Sequence, residues 1–307
     1  MTTAPLRIGT RGSPLALAQV RLAAARLAAA HPALPEPAVV AIKTTGDRVQ
    51  DRPLAEIGGK GLFAKEIESA LLEGTIDCAV HSLKDLETRL PEGLVIAAVL
   101  VRADPRDALI APGVKSLADL PRGARIATGS IRREAQLRAL RPDLEIAPLR
   151  GNVDTRLAKI RAGAAAATLL AMAGLERLGL SVPEATPLDP DILLPAPGQG
   201  LIALQCRERD ARTRELLASI ADPAATAAMI AERALLAGLD GSCRTPIGGL
   251  AEPQSNGALR LRALLARHDG TLVLRAERVG APSDAAAIGA DAAAHLRARA
   301  PSDLLAA

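Results

Sequence analysis

A single phenylalanine is the only Phe, Tyr or Trp residue among the 307 residues of this chain, although hydrophobic residues make up 49% of it. The apolar content is mostly Ala, Leu, Val and Ile, and the chain is long enough to bury sizeable cores built from these aliphatic side chains. Proteins that bind single-stranded nucleic acid stack the bases on aromatic rings. The near absence of such rings predicts that nucleic acid is not a partner.

Three further features restrict the class of protein. The net charge is only +4, so a strongly positive site must come from local clusters of Lys and Arg. Residues 1–11 lack the pattern of a secretory signal, and uncharged stretches such as 162–175 are shorter than the roughly 20 apolar residues of a membrane helix. Cys78, Cys206 and Cys243 cannot all pair within the chain and match no zinc-binding spacing. We therefore expect a cytoplasmic protein with reduced thiols and no membrane partner.

Short β-like runs alternate with helical patterns over the first two thirds of the chain, which is typical of an α/β fold with largely parallel sheets. The clearest helix is predicted at residues 14–30, with Ser13 as its N-cap and a proline at its first position. Another helix is predicted at 131–140. Strands are predicted at 6–10, 39–44, 76–80, 94–101, 124–128, 145–149, 166–171 and 201–206.

Two segments rich in turn-forming residues, 103–106 and 183–200, are interpreted as crossings between domains. The block between them would then be an inserted domain, and the paired crossings would form a two-strand hinge. Beyond it, a long helix, a glycine-rich loop, strands at 259–267 and 272–279 and a final helix predict a smaller α+β domain. The predicted boundaries are 1–101 with 199–220 for the first α/β domain, 102–198 for the second α/β domain and 221–307 for the C-terminal domain.

Basic residues recur where a strand leads into a helix. Helix N-termini carry unpaired N–H groups, and arginine binds carboxylates or phosphates through its planar fork. Any one of these cations is more simply a solvated surface residue, but their repetition predicts a site for a multiply charged anion. The sequence has neither P-loop spacing nor a dinucleotide fingerprint, so no nucleotide is expected. The junctions contain Arg11 and Ser13, Lys60, Arg132 and Arg133, and Arg150 and Arg156.

Residues 77–85 run to the carboxyl end of a predicted strand, the edge where open α/β sheets usually bind ligands. Asp85 at this edge can accept a hydrogen bond from a ligand N–H and stabilise a developing positive charge. Alternatively, it caps a helix or pairs with Lys84. Cys78 and His81 lie nearby, but the four histidines are scattered along the chain, so no metal site is predicted.

Cys243 differs from the other two cysteines. It lies in residues 239–249, a glycine-containing and turn-prone segment, and the neighbouring Arg244 favours its thiolate form. Cys78 and Cys206 fall in apolar strands and are interpreted as buried structural thiols. From the local chemistry alone, a functional role for Cys243 and a purely structural one remain equally open.

Taken together, these segments resemble the hydroxymethylbilane synthase family, also called porphobilinogen deaminases, over essentially the whole chain. The segments that carry the resemblance are residues 7–19, 58–63, 79–85, 129–133, 149–153, 197–200 and the Cys243 loop. The resemblance implies two domains like the halves of a type II periplasmic binding protein and a smaller C-terminal domain. It also implies a dipyrromethane cofactor joined through a thioether to Cys243.

The reaction implied by the resemblance is the joining of four porphobilinogen molecules. Each loses ammonia to give an electrophilic azafulvene, which the terminal ring of the primer attacks, and hydrolysis finally releases hydroxymethylbilane. Each added ring brings two carboxylates that need cationic partners, while the reacting ring becomes transiently cationic. Arginines and one aspartate match these opposite demands.

By the same resemblance, Asp85 contacts pyrrole N–H groups and stabilises cationic intermediates, and Lys60 belongs to a lid near residues 44–61. Residues implied to face incoming substrate are Arg11, Ser13, Gln19, Arg150 and Arg156. Residues implied to hold the cofactor are Ser82, Lys84, Thr128, Ser130, Arg132 and Arg133. Gly129, Ser242 and Glu87 depart from the expected pattern.

Two other functions would share some of these features. A solute-binding or ligand-sensing protein would have the hinge and the arginine clusters, but a signal segment or a DNA-binding module is expected with it. A transferase without a covalent primer would leave Cys243 unexplained. The family resemblance favours the enzyme, with porphobilinogen as its small-molecule partner and a monomer as its expected state.

Overall fold

The computed structural model describes residues 4–48, 61–240 and 245–305. They form two compact units. The first unit consists of the described residues up to 48, 61–102 and 201–226, and the second of 103–200 and the described residues from 227 onward. Cys243 and Lys60 lie outside the described residues.

Strands and helices alternate along much of the described chain. The strands are β1 (Arg7–Arg11), β2 (Ala38–Ile42), β3 (Cys78–Ser82), β4 (Leu94–Val99), β5 (Asp107–Ile110), β6 (Arg125–Ala127), β7 (Glu145–Ala147), β8 (Ala167–Ala171), β9 (Ala185–Pro187), β10 (Ile202–Arg207), β11 (Ile247–Pro253), β12 (Leu259–Ala266) and β13 (Val273–Gly280). The helices are α1 (Pro14–Ala30), α2 (Thr45–Arg48), α3 (Lys65–Leu72), α4 (Ile131–Leu140), α5 (Val153–Arg161), α6 (Met172–Arg177), α7 (Ala211–Ala218), α8 (Pro223–Gly238), α9 (Ala285–Arg299) and α10 (Ser302–Leu305), with 3-10 turns at Leu83–Asp85 and Pro282–Asp284.

The sheet of the first unit has the strand order β2-β1-β3-β10-β4. Strands β1, β2 and β3 are parallel, while β10 is antiparallel to both of its neighbours. One face of the sheet packs on α1 through residues such as Ile8, Val20 and Leu204, and the other packs on α3 through Ile67 and Leu71. The parallel strands therefore bring the carboxyl ends of β1 and β3 to one edge of the sheet.

The second unit contains a sheet with the order β7-β6-β8-β5-β9 and the same pattern of directions. Strands β6, β7 and β8 are parallel, and β5 is antiparallel to β8 and β9. In each sheet the antiparallel inner strand is the first one after a crossing of the chain: β5 after residue 102 and β10 after residue 200. Two α/β sheets of one topology confirm the α/β part of the predicted fold class.

The two crossings run beside each other. In the first unit the Leu100 N–H donates to the Ile202 carbonyl (3.0 Å), and in the second the Ala103 N–H donates to the Gly200 carbonyl (3.1 Å). The Arg177 guanidinium donates to the same Gly200 carbonyl over 2.6 Å. A hinge motion about these segments stays a prediction.

The C-terminal part of the second unit is the predicted small α+β structure, an antiparallel sheet β11-β12-β13 covered by α8 and α9. Its strands also pack on α4, because Leu250, Leu264 and Ala135 belong to one buried cluster. Glu232 of α8 is fully buried, and its carboxylate accepts hydrogen bonds from the N–H groups of Gly198 (2.5 Å) and Ala251 (2.7 Å). Residues 103–200 and this part thus share one compact unit, and the three-domain division stays a prediction.

The core is aliphatic, as the composition predicts. The largest fully buried side chains among the described residues are all Leu and Ile. None of the described helices combines the length and the apolar character that crossing a membrane requires.

Close packing of α8 on α9 depends on Gly289. A Cβ atom at this position would lie 2.1 Å from the Ala231 carbonyl oxygen and 2.6 Å from the Ala234 Cβ. Gly289→Ala should therefore lower the free energy of unfolding by about 1–3 kcal/mol, although alanine is the better helix former by about 1 kcal/mol. Urea unfolding followed by circular dichroism measures the change, with the exposed Ala290→Ser as control. A stabilised Gly289→Ala protein would contradict the close approach.

Candidate active site

The edge of the first sheet positions a group of polar side chains. Strand β1 ends at Arg11, and β3 ends at Ser82 and continues into the 3-10 turn that contains Asp85. Helix α1 begins three residues after β1 ends, with Ser13 as N-cap accepting a hydrogen bond from the Ala16 N–H (3.3 Å). These short connections hold the side chains at the carboxyl edge of the parallel strands, where α/β sheets bind ligands.

A cavity at this edge is lined by both predicted and unpredicted residues. Five of the lining residues carry a role that the sequence assigns to them. Asp85 is exposed, so its carboxylate is open to a ligand in the cavity. The full lining consists of Thr10, Arg11, Ser13, Leu15, Ala16, Gln19, Phe63, Val80, His81, Ser82 and Asp85.

Two lining side chains are joined across the cavity wall. Gln19 of α1 is buried, and its amide nitrogen donates to the Ser82 hydroxyl over 2.7 Å. The pair links α1 to the end of β3, immediately before the turn that carries Asp85. It leaves the amide oxygen of Gln19 and the hydroxyl hydrogen of Ser82 for a ligand.

Arg11 is held on two sides. Its Nε and Nη2 atoms donate to the Asp47 carboxylate, with 2.5 Å between Nη2 and Oδ1, and its guanidinium lies 4.1 Å from the centre of the Phe63 ring. Burial alone would raise the pKa of Asp47, but hydrogen bonds from Arg11 and Thr44 lower it below its ordinary value. The guanidinium is thus fixed at the cavity wall by a carboxylate and an aromatic face.

A second charged cluster lies in the second unit, around Asp107 at the start of β5. This carboxylate is fully buried and accepts hydrogen bonds from Arg132 (2.8 Å), Arg133 (2.6 Å) and Gln199 (2.9 Å). Each arginine also donates to a backbone carbonyl, that of Leu194 or Leu169. Burial would raise the pKa of Asp107, but the two arginines hold it far below its ordinary value. The cluster therefore carries an excess of one positive charge.

Each of the two buried arginines has one donor nitrogen without a hydrogen-bond partner among the described residues. Among the described residues, the Nε atoms of Arg132 and Arg133 are buried without a hydrogen-bond partner. An unsatisfied buried donor costs about 1–3 kcal/mol, and more when it is charged. Because these two atoms are buried, they are closed to a ligand while the arginines keep the positions shown.

Comparisons with known proteins identify the family. The profile of the porphobilinogen deaminase dipyromethane cofactor binding domain matches residues 6–215, and that of the porphobilinogen deaminase C-terminal domain matches residues 226–298. The chain belongs to the porphobilinogen deaminase family.

Curated relatives agree with the family profiles. The chain is 55% identical to the porphobilinogen deaminase of Paracoccus denitrificans over 300 residues, which cover 97% of this chain and 96% of the relative. It is 54% identical to that of Nitrobacter winogradskyi, over 95% of this chain and 93% of the relative.

The solved structures that match the chain are more distant in sequence. They include a periplasmic binding protein from Brucella ovis with glutathione bound (16% identity, 77% of this chain and 69% of that chain, TM-score 0.43). A putative methionine-binding lipoprotein from Bacillus subtilis also matches (14% identity, 70% of this chain and 89% of that chain, TM-score 0.41).

The porphobilinogen deaminase resemblance assigns further residues, and the structure places them in two groups. The first group lines the cavity of the first unit and consists of Arg11, Ser13, Gln19, Ser82 and Asp85. Lys84, which precedes Asp85 in the sequence, is exposed. In the second unit, the Thr128 hydroxyl accepts from the Ser130 N–H (3.2 Å), and Ser130 caps α4 in front of Arg132 and Arg133. Arg150 and Arg156 flank the start of α5, where the Arg156 Nε donates to the Gly151 carbonyl (2.8 Å).

Two departures from the family pattern have local consequences. The Glu87 carboxylate accepts a hydrogen bond from the Gly61 N–H over 2.7 Å, so its charge has a backbone partner. A Cβ atom on Gly129 would lie 3.0 Å from the Leu149 carbonyl oxygen, so a larger residue would be tight at this position. Ser242 lies outside the described residues.

The other two cysteines are buried, as predicted. Cys78 and Cys206 are free, buried and directly opposite each other on β3 and β10. Burial raises the pKa of Cys206 to about 11 and that of Cys78 still further. Thiols that are so hard to ionise are poor nucleophiles.

Sequence reasoning missed three residues of these sites. Sequence reasoning does not single out Asp107, and it assigns no role to His81 or Phe63. An aspartate at the head of the apolar run Ala108-Leu109-Ile110 is the signal for the first, because a buried carboxylate requires cationic partners. His81 and Phe63 lie within the segments that carry the family resemblance, but only the fold places them in the cavity wall.

Proposed function

We propose that this protein joins four porphobilinogen molecules head to tail, with loss of one ammonia from each, and releases hydroxymethylbilane by hydrolysis. The observation that carries the proposal is the cavity that the exposed Asp85 lines together with the Arg11 cation and the Gln19–Ser82 pair. This combination suits a substrate with carboxylate side chains, pyrrole N–H groups and a transient positive charge.

The described residues fit the dipyrromethane cofactor named in the family profile. The excess positive charge of Arg132 and Arg133 over Asp107 and the hydroxyls of Thr128 and Ser130 suit its carboxylates, and Lys84 and Ser82 are further candidates. Cys243 is the proposed point of attachment. When bound, dipyrromethane supplies the nucleophilic pyrrole to which the first porphobilinogen unit is joined.

Asp85 is the proposed catalytic residue. Its carboxylate accepts a hydrogen bond from the pyrrole N–H of the reacting unit and stabilises the positive charge that this ring carries after ammonia leaves. Two unit charges 4 Å apart attract by about 1 kcal/mol in bulk water and by about 4 kcal/mol where the effective dielectric constant is about 20. The carboxylate therefore acts most strongly when the bound substrate displaces water from the cavity.

Arg11 is the proposed partner of a substrate carboxylate. The Nε and Nη2 atoms of Arg11 donate to Asp47. The Nη1 atom of Arg11 can therefore donate to a substrate carboxylate without breaking the existing ion pair. Ser13 and Gln19 would add neutral hydrogen bonds from the same wall. In the second compact unit of the protein, Arg150 and Arg156 are the proposed contacts to the carboxylates of incoming porphobilinogen.

Intact-mass measurement of the purified protein tests the proposal. We expect the native chain to carry an added mass equal to two porphobilinogen units less two ammonia molecules, and Cys243→Ala to lack it, because the thioether needs the Cys243 sulfur. Cys206→Ala is the matched control and should keep the adduct, because its thiol is buried. A native chain that carries no adduct and does not consume porphobilinogen would refute the proposal.

Membership of the family does not establish the oligomeric state or the compartment of this protein. A monomer in the cytoplasm stays a prediction. Analytical ultracentrifugation of the native protein measures its oligomeric state directly.

A further inference from the structure

Three buried polar side chains form a row behind the cavity. In the register of β3 and β10, His81 lies opposite Ala203 and Ala79 lies opposite Gln205. His81 and Gln205 are therefore diagonal neighbours on one face of the sheet, the face covered by α3. From α3, the Glu68 carboxylate accepts a hydrogen bond from the Gln205 amide nitrogen over 3.0 Å. His81, Gln205 and Glu68 are all buried.

Two atoms in this row lack partners. Among the described residues, the Nε2 atom of His81 and the Oε1 atom of Gln205 are both buried without a hydrogen bond. Leaving two such buried groups unpaired destabilises the folded protein. A histidine protonated at Nε2 could donate to Oε1 of Gln205 after a small side-chain adjustment, and both atoms would then be satisfied. Glu68 orients the amide for this, because its carboxylate takes the amide N–H.

The surroundings keep the ring neutral. Burial lowers the pKa of His81 to about 4. The nearby Arg11 cation on β1 lowers this pKa by a smaller amount, and Gln205 raises it. Asp85 faces the same cavity from the turn after β3, and Glu68 approaches from α3. Burial raises the pKa of Glu68, and the neighbouring Glu87 raises it further. An imidazole in this setting therefore has one N–H donor and one acceptor nitrogen.

We infer that His81 is a second substrate contact in the Asp85 cavity, a neutral imidazole held as the Nε2–H tautomer by Gln205 and Glu68, whose Nδ1 accepts a substrate pyrrole N–H. The ring lines the cavity together with Asp85, so both can reach one bound pyrrole unit. A neutral acceptor orients the N–H without repelling a ring that becomes positively charged, whereas an imidazolium would repel it. This inference rests on the proposed function for the identity of its ligand.

Nitrogen-15 NMR of the four histidine rings tests the tautomer without any substrate. The His81 signals are assigned by their loss in His81→Asn. We expect a neutral Nε2–H ring at about pH 6, below the ordinary histidine pKa of about 6.5, and mixed tautomers in Gln205→Met, which keeps the volume but loses the acceptor. A cationic ring at this pH, or a single Nδ1–H tautomer, would overturn the inference.

Two substitutions separate the contact from a purely structural role. His81→Leu removes the acceptor, whereas His81→Asn keeps an oxygen near the Nδ1 position, and both lose the contact with Gln205. We expect kcat/KM for porphobilinogen to fall about 10-fold in His81→Leu, which corresponds to about 1.4 kcal/mol and to the loss of one hydrogen bond, and to stay within about threefold of the native value in His81→Asn.

Intact mass should show the same adduct in both variants. Equal losses in the two variants, or none in His81→Leu, would overturn the inference while native turnover still supports the proposed function. A native protein that does not turn over porphobilinogen would refute the proposed function. The NMR measurement would then still test whether Gln205 holds His81 as the Nε2–H tautomer. A His81→Leu protein that fails to fold leaves the native NMR result as the deciding one.

Discussion

Asp85→Ala should lower kcat for porphobilinogen by about 10²–10³-fold, the range found when one preorganised electrostatic contact to a transition state is removed. Asp85 lies at the end of a 3-10 turn and is exposed, so its side chain is not part of a core. The free energy of unfolding should therefore change by no more than about 0.5 kcal/mol. Steady-state kinetics and urea unfolding of the same preparation measure the two effects.

Two further variants identify what the carboxylate does. Asp85→Asn keeps a hydrogen-bond acceptor and removes the charge, so a loss close to that of Asp85→Ala would assign the effect to charge stabilisation. Glu92→Ala is the matched control, because Glu92 is an exposed acid of the same unit outside the cavity lining. Near-native turnover of Asp85→Ala, with the cofactor adduct in place, would contradict a catalytic role.

Local signals in the sequence predict some elements closely. The predicted helix at residues 14–30 is α1, and Ser13 is its N-cap. The predicted helix at 131–140 is α4, with Ser130 as its cap. N-capping side chains and a proline in the first turn act within a few residues, so the sequence itself contains the information that fixes these helix starts.

Other elements depend on partners that are distant in sequence. The sequence predicts turns throughout the segment 239–249, but from Ile247 it is strand β11. Its Gly248 and Gly249 pair with β12, and Leu194 and Pro197 pack where their side chains would be. Glycine usually weakens a strand, and only this tertiary packing explains its presence in β11.

The candidate site divides in the same way. The family resemblance names five residues that line the cavity of the first unit. Four of them lie at or just after the ends of β1 and β3, and Gln19 lies in α1. The resemblance does not show that Arg132 and Arg133 are buried against Asp107, since 25 and 26 residues separate these arginines from the carboxylate. Nor does it show the row formed by His81, Gln205 and Glu68, whose members come from three different elements.

Asp107→Asn should lower the free energy of unfolding of the second unit by about 3–5 kcal/mol, the cost of leaving buried charges without a counterion. The amide fills the same space, but Arg132 and Arg133 would remain buried without their carboxylate. Because the chain has no Trp or Tyr, urea unfolding is followed by circular dichroism, and hydrogen exchange of β5 and α4 assigns the transition. Glu145→Gln, at the exposed pair with Arg125, is the matched control and should cost no more than about 1 kcal/mol.

The dependence on pH tests the same cluster independently. The pKa of Asp107 lies far lower in the folded protein than its value of about 3.9 in an unfolded chain, because the two arginines outweigh the effect of burial. The stability that Asp107 contributes is therefore fully present above about pH 4 and is lost as the pH falls toward the folded pKa. The difference between the native protein and Asp107→Asn should be constant from about pH 7 to about pH 5 and should narrow below about pH 4. A difference that stays constant at lower pH would mean that shape, rather than charge, is what Asp107 contributes.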